Sequence, residues 1–473
     1  MTPPAVMWFR RDLRLADNRA LTRALARAAG VICVCMLEDA AGAWAKESAS
    51  RAWRAASLKA LDSDLRERGN GLVGLRGTAP EALADLAKQS GARLVCCTRD
   101  WTPAAMAEEE AVREALAAVG TELFVAEGSL LVTPDSIATH SGEPFRVFTP
   151  YYRAWEYEWH VEEPLPALEE IPAPAAVPTF EPSTPDSSAP DIATHWSPGE
   201  RGSQESLTSF VNEALADYDQ NHDFPAVRGT SRLSPALAFG ELSPRQIAVT
   251  VVDMYVAAGA AAPYLRQLAW REFAHHVLYH APSLPDRPWR AEYEVMPWCD
   301  DEGALAAWRE GMTGFPFVDA GMRELRETGW MHNRTRLVTG SFLAKDLLVP
   351  WQDGERWFWE RLVDAELAVN AFNWQWLAGS GADAAPYFRI FNPMLQGRRF
   401  DPDGSYVRRW VPELAQMPAR WIHSPWEAPA EELSKAGVVL GKTYPRPLID
   451  HFEARDRALA AYEHVKESRS GGA

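Results

Sequence analysis

The sequence predicts an α/β N-terminal domain built on a parallel, Rossmann-like sheet, followed by an all-helical C-terminal domain. Three observations predict it. Short apolar runs alternate with amphipathic segments as far as about Val132, a stretch rich in Pro, Ala, Ser, Glu and Asp follows, and strand signals then almost vanish. At roughly 100–200 residues per domain, a chain of 473 residues accommodates two or three such units.

The first region reads element by element. Ala5–Phe9, Val31–Leu37, Leu72–Leu75, Leu94–Thr98 and Leu123–Val125 are short apolar runs of strand length. Between them Asn18–Ala29, Arg51–Arg68, Pro80–Gln89 and Ala104–Val119 carry helical periodicity, with Gly after several. Strand–helix alternation implies parallel strands covered on both faces. No GxGxxG follows the first run, so an ordinary dinucleotide-binding domain is not indicated.

Residues 1–133 are therefore expected to form the α/β domain, 134–204 an inter-domain linker, and 205–465 the helical domain. The linker's most biased part is Glu162–Glu200, which has little periodicity. Helical pattern then runs through Ser206–Asp219, Pro244–Ala257, Ala262–His280, Glu302–Met312, Asp319–Thr328, Arg334–Asp346 and Trp357–Asn370.

Composition excludes several classes. The net charge of −17 argues against non-specific coating of nucleic acid, so any nucleic-acid claim has to come from a local patch. Cys33, Cys35, Cys96, Cys97 and Cys299 form no CxxC pair and keep no regular His spacing, which indicates neither a metal site nor a disulfide framework. No signal peptide and no apolar run near the ~20 residues of a membrane span is present, so a soluble, cytoplasmic protein is expected. The 20 tryptophans are an excess. Most are expected to pack the core, but indoles also stack on bases and carry electrons, which points to a nucleobase or cofactor partner.

Four segments concentrate polar chemistry. Gly229-Thr230-Ser231-Arg232-Leu233-Ser234 sets small hydroxyls and backbone N–H groups before a helix starting near Pro235. From the residues alone this is first a capped helix start, and second an anion site suited to a pyrophosphate. Trp330–Arg336, Asp364–Trp376 and Asp383–Pro393 mix aromatics, amides and charges within apolar surroundings. Polar groups buried in such surroundings are costly unless partnered, and a polar cofactor would partner several at once.

The motifs GTSRLS, WREF, TGWMHNR, NWQW and DAAPYFRIFNP, in this order, resemble the flavin domain of class I photolyases, and the opening WFRRDLRLADNRAL resembles that family's start. The resemblance to the photolyase/cryptochrome family spans nearly the whole chain. It implies FAD held in the helical domain by Tyr218, Thr230, Ser231, Arg232, Leu233, Ser234, Tyr264, Asn333, Arg336, Asp364, Ala365, Glu366 and Asn370, with Asn370 facing flavin N5. It also implies an electron-transfer chain of Trp374, Trp351 and Trp298.

For the lesion and its DNA the resemblance implies His222, Gln267, Trp270, Arg271, Asn333, Arg334, Leu337, Trp376, Arg389 and Gln396, with Trp270 and Trp376 stacking on an extruded pyrimidine dimer. The implied reaction is light-driven: an electron from excited reduced FAD splits a cyclobutane pyrimidine dimer, and the cofactor carries the chemistry. A second, antenna chromophore is expected in the α/β domain, either a deazaflavin or a folate. The Thr98–Met106 loop lacks the acidic element of folate binders, which favours a deazaflavin near Cys35–Glu38 and Lys46–Trp53, or no antenna at all. DNA bearing such dimers is the expected partner of a monomer with no obligate protein partner.

Three departures stand out. Gln267 replaces the Glu usual in dimer photolyases, so it donates an N–H to the lesion but shares no proton. Leu337 replaces a lesion-packing Met, a volume-conserving change, and Glu366 replaces an Asp. Six-four photolyases share the Gln but need His at Asn333 and Leu337. The rival reading is a cryptochrome-like light sensor without repair, which the substitution at Gln267 favours and the short C-terminal tail disfavours.

Overall fold

The computed structural model describes residues 3–37, 48–160, 162–174, 192–255, 261–383 and 389–470. Five strands, β1 (Ala5–Phe9), β2 (Val31–Met36), β3 (Leu72–Leu75), β4 (Leu94–Thr98) and β5 (Glu122–Ala126), pair in parallel in the order β3-β2-β1-β4-β5. The central β1 and its neighbour β2 are buried at every residue, which explains their unbroken apolar runs. Helices Arg19–Arg27, Ser48–Arg66, Ala79–Ser90 and Pro103–Ala118 alternate with the strands. Asn18 caps the first of these, accepting from the Leu21 N–H at 2.9 Å. Cys33, Cys35, Cys96 and Cys97 are free, buried thiols in β2 and β4, and burial pushes each one up.

The rest is helical, as predicted, with two differences. Helix Phe148–Glu158 lies in the expected linker; its buried Phe148, Tyr151 and Trp155 give it a core-facing stripe. The pattern over Trp357–Asn370 is not one helix. Helix Trp351–Arg361 ends, an irregular turn carries Asp364–Glu366, and helix Leu367–Ala378 begins. Apolar spacing continues through that break, so periodicity could not reveal it; the turn's carboxylates reveal it only through their partners. Part of the linker (175–191), the end of Pro244–Ala257, and Ala384–Phe388 of the fourth motif lie outside the described residues.

Two compact units result. The first comprises Met1–Ala216, Ser231–Pro282 and Val363–Glu366, and the second Asp217–Thr230, Ser283–Leu362 and Leu367–Ala473. Helices early in the helical region thus join the sheet's unit. Buried polar links do this: Arg14 Nη1 donates to the Gly240 carbonyl at 2.9 Å, and Glu272 accepts from the Leu131 and Val132 N–H groups at 2.6 and 3.0 Å. Burial raises the Glu272 carboxyl to about 6 against these donors. No helix of the described residues is long and apolar enough to cross a membrane.

Candidate functional site

In the first unit the Ser231–Ser234 part of the GTSRLS motif is built differently from a hydroxyl-capped helix start. The helix runs Ser234–Phe239 and its cap residue is Leu233, which has no side-chain cap bond. The turn instead pivots on Arg232, whose φ of 54° is the left-handed conformation a long side chain rarely adopts. The Arg232 guanidinium sits 4.2 Å from the Trp196 ring centroid. Ser231 Oγ accepts from the Tyr264 hydroxyl at 3.0 Å, which draws the turn onto helix Ala261–His280. Ser231 and Tyr264, both predicted flavin contacts, are therefore brought together.

Helix Ala261–His280 presents Tyr264, Gln267 and Trp270 at three-residue steps. Tyr264 is buried, Gln267 exposed and Trp270 partly exposed. Arg271 is otherwise engaged. Its Nη2 and Nε donate to the two oxygens of Glu366 at 2.6 and 2.8 Å, and its Nη1 donates to the Ser129 carbonyl at 3.2 Å. His275 Nε2 lies 3.0 Å from the same carboxylate, and Arg11 Nη2 at 3.3 Å. Burial opposes ionisation of Glu366, yet Arg271, His275 and Arg11 together hold its carboxyl well below the ordinary value. Glu366 thus uses its side chain to anchor the Asp364–Glu366 turn. Asp364 and Ala365 are buried beside it in sequence.

In the second unit Tyr218 is buried and stacks on His222, whose Nδ1 lies 2.8 Å from the Tyr218 carbonyl. Thr230 is partly exposed. Helix Asn333–Ser341 begins at the capping His332, whose Nδ1 accepts from the Arg334 N–H at 3.2 Å; burial lowers that imidazole to about 4, which keeps it neutral and able to accept. Asn333 is exposed and Leu337 partly so. Arg334 pairs with Asp223 at 2.6 Å and lies over Phe400, while Arg336 Nε donates to the Met331 carbonyl at 2.7 Å. Arg389 is exposed and Gln396 partly so.

Asn370 has a defined orientation. It is buried, and its Nδ2 donates to the Glu355 carbonyl at 2.9 Å, which leaves Oδ1 as the amide's acceptor. An acceptor there fits an N–H of a reduced flavin. The tryptophans of the predicted chain are graded: Trp374 and Trp351 are buried to 1% and 2% exposure, and Trp298 is partly exposed. Trp374 packs so closely on Gly354 that a Cβ there would lie 2.2 Å from the indole. Phe358 closes its other contact edge-on at 5.0 Å. Trp298 lines a surface cleft with Cys299, Asp301, Pro350 and Asp353.

Sequence reasoning missed three residues here. Glu355 is fully buried, and neither carboxylate oxygen has a hydrogen-bond partner among the described residues. Burial, and then Asp286, push its carboxyl well above the ordinary value. Gln375 accepts from the Trp289 N–H at 2.7 Å and donates to the Arg287 carbonyl at 2.8 Å, fixing the helix that carries Trp374 and Trp376. Lys345 is buried and donates to the Arg389 carbonyl at 2.6 Å. Only Gln375, between Trp374 and Trp376, is a polar residue flanked by apolar ones; Glu355 beside Arg356 and Lys345 beside Asp346 carry no such signal.

Residues 264–464 match the family profile described as the FAD binding domain of DNA photolyase, and residues 5–174 match that described as DNA photolyase. The chain belongs to the DNA photolyase family, and FAD is its cofactor. It is 45% identical to the deoxyribodipyrimidine photo-lyase of Agrobacterium fabrum, with 99% of each chain covered. It is 36% identical to cryptochrome-1 of Arabidopsis thaliana over 98% of this chain and 70% of that one. Among solved structures it superposes on a bacterial class III photolyase from Agrobacterium tumefaciens with a TM-score of 0.94, at 44% identity, covering 99% of this chain and 98% of that one. That structure is of a class III photolyase, whereas the motifs resemble class I.

Proposed function

We propose that this chain is a deoxyribodipyrimidine photo-lyase that uses blue light to split cyclobutane pyrimidine dimers in DNA, of the class III subtype. The observation that carries this reading is the full-length likeness to a curated photo-lyase at 45% identity. When bound and reduced, FAD supplies the photoexcited electron that opens the cyclobutane ring. Around it the chain's residues bind and orient. Tyr218, Thr230, Ser231, Arg232, Leu233, Ser234, Tyr264, Asn333, Arg336, Asp364, Ala365, Glu366 and Asn370 are the proposed flavin contacts. For Glu366 the contact falls to its backbone, since its side chain is committed to Arg271.

Trp270 and Trp376, partly exposed indoles, stack on the extruded dimer, and Gln267, Asn333 and Leu337 touch its edge. His222, Arg334, Arg389 and Gln396 serve the DNA rim. Trp374, Trp351 and Trp298 pass electrons inward from the surface, in keeping with their graded burial. An antenna deazaflavin near Cys35–Glu38 and Lys46–Trp53 stays part of the proposal; Glu38 and Lys46 lie outside the described residues.

The test is direct. The photoreduced protein is mixed with dimer-bearing DNA under blue light and restored thymines are counted. Restoration is expected in light only. Flavin bound and reduced, with no thymine restored, would favour the sensor reading that the cryptochrome-1 likeness keeps in view. A Gln267→Glu variant that repairs faster would assign that departure an efficiency cost, and unimpaired photoreduction in Trp374→Phe would sink the electron-chain assignment.

A further inference from the structure

Helix Phe148–Glu158 carries Phe148, Tyr152 and Trp155, with Trp159 just past its end, at steps that place all four rings on one helical stripe. Such a stripe ordinarily serves the core. This one ends on a partly exposed indole. Phe148 lies flat on Trp270, with ring centroids 3.5 Å apart and planes 8° from parallel. Behind Phe148 the rings continue: Tyr152 at 5.6 Å and 21°, Trp155 a further 6.0 Å at 17°, and Trp159 a further 5.4 Å at 27°. Polar bonds fix the column. Trp155 Nε1 donates to Glu272 Oε2 at 2.7 Å, and Glu272 sits two residues beyond Trp270 on helix Ala261–His280. The Arg266 guanidinium lies 5.2 Å from the Phe148 centroid and 5.3 Å from that of Tyr152.

We propose that Phe148 is a positioning residue for lesion recognition: it clamps the Trp270 indole in the plane in which that ring stacks on an extruded pyrimidine dimer. The proposal rests on the lesion-stacking reading of Trp270 given above. The physical argument is preorganisation. An unsupported, partly exposed indole samples several rotamers and must give them up when a base stacks on it, whereas a ring already held flat against Phe148 has lost that freedom in the folded protein. Phe148 is 1% exposed, so it shapes the pocket without meeting DNA. Neither the charge of the DNA rim nor the flavin contacts involve it.

The experiment measures affinity for a duplex carrying one thymine dimer and for the same duplex undamaged, using the FAD-loaded protein. Wild type is compared with Phe148→Leu, Phe148→Ala, Phe148→Tyr and Trp270→Ala. Phe148→Leu keeps an apolar side chain of similar size and guards against a folding defect in Phe148→Ala; bound-flavin absorbance reports the fold. Removing the ring is expected to lower the ratio of dimer to undamaged affinity by about tenfold, within the range of one lost base stack. Phe148→Tyr, which keeps the flat face, is expected to restore it. An unchanged ratio in Phe148→Leu would overturn the proposal, and so would an equal fall for both duplexes, which marks a scaffold role alone. Undiminished dimer affinity in Trp270→Ala would instead remove the stacking reading itself, and the Phe148 assignment with it.

Discussion

Two buried glutamates, Glu366 in the first unit and Glu355 in the second, are shifted in opposite directions from the ordinary carboxyl value. Glu366 meets Arg271, His275 and Arg11 and is held as a carboxylate. Glu355 has no hydrogen-bond partner for either oxygen among the described residues, and burial pushes its carboxyl well above the ordinary value. The lesson concerns what a buried acid is for. With cations converging on it, it is a fastener that holds an irregular turn in place. Without them burial favours its neutral form, and here its backbone carbonyl orients the amide of Asn370.

The sharpest way to break the comparison is Arg271→Leu. It removes the bidentate partner and strands a buried carboxylate, so a loss of about 3–5 kcal/mol is expected in denaturant unfolding. A loss under ~1 kcal/mol would show that Glu366 is not the fastener described. Retention of dimer-DNA affinity in a folded double variant, Arg271→Leu with Glu366→Leu, would confirm that Arg271 serves the scaffold and not the DNA.

Lys345 extends the comparison to a cation. Burial lowers its ammonium to about 7, with Asp346 working the other way. The folded chain sheds this proton near neutrality while the unfolded chain keeps it to ~10.4. The unfolded state therefore binds more protons across that window, and stability is expected to rise with pH above about 7, by at most ~1.4 kcal/mol per pH unit. A Lys345→Met variant should lack this rise; identical slopes in urea titrations at pH 7 to 9 would refute it.

The smallest effect is expected from Glu355→Gln. A carboxyl whose neutral form burial favours becomes a neutral amide of similar shape, so the cost near pH 5 should be about 1 kcal/mol or less. The sign with pH is specific. The folded acid holds its proton above the unfolded value of ~4.3, so wild-type stability falls as pH rises beyond it, and the Gln variant should be flatter between pH 5 and 8. A steeper dependence in the variant would mean that Glu355 is ionised in the folded protein.

Much of the fold was legible. The strands fall almost where the apolar runs lie, because a parallel sheet buried on both faces writes itself as unbroken hydrophobic sequence. The helical region was legible from its 3.6-residue period. The candidate site was legible mostly by resemblance: Asn333 and Trp374 lie in TGWMHNR and NWQW, and Asn370, Trp351 and Trp298 come from the wider family likeness, whereas Gln375 lies in NWQW without its role being legible, and Glu355 and Phe148 had no signal beyond residue type. The reason is physical. Their roles lie in partners brought close by folding, such as Gln375 with Trp289, 86 positions away.

The sequence by itself determined the layers, the order of the elements and the stock of polar and aromatic groups, since these follow from local periodicity and composition. Only the tertiary structure decided that one of two like glutamates is pushed above the ordinary carboxyl value and the other held below it. It also decided that Arg271 turns to Glu366, and that Arg232 takes the left-handed turn that sets Ser231 against Tyr264. Ionisation, orientation and strain depend on neighbours distant in sequence and on the dielectric they create, and no window along the chain contains those.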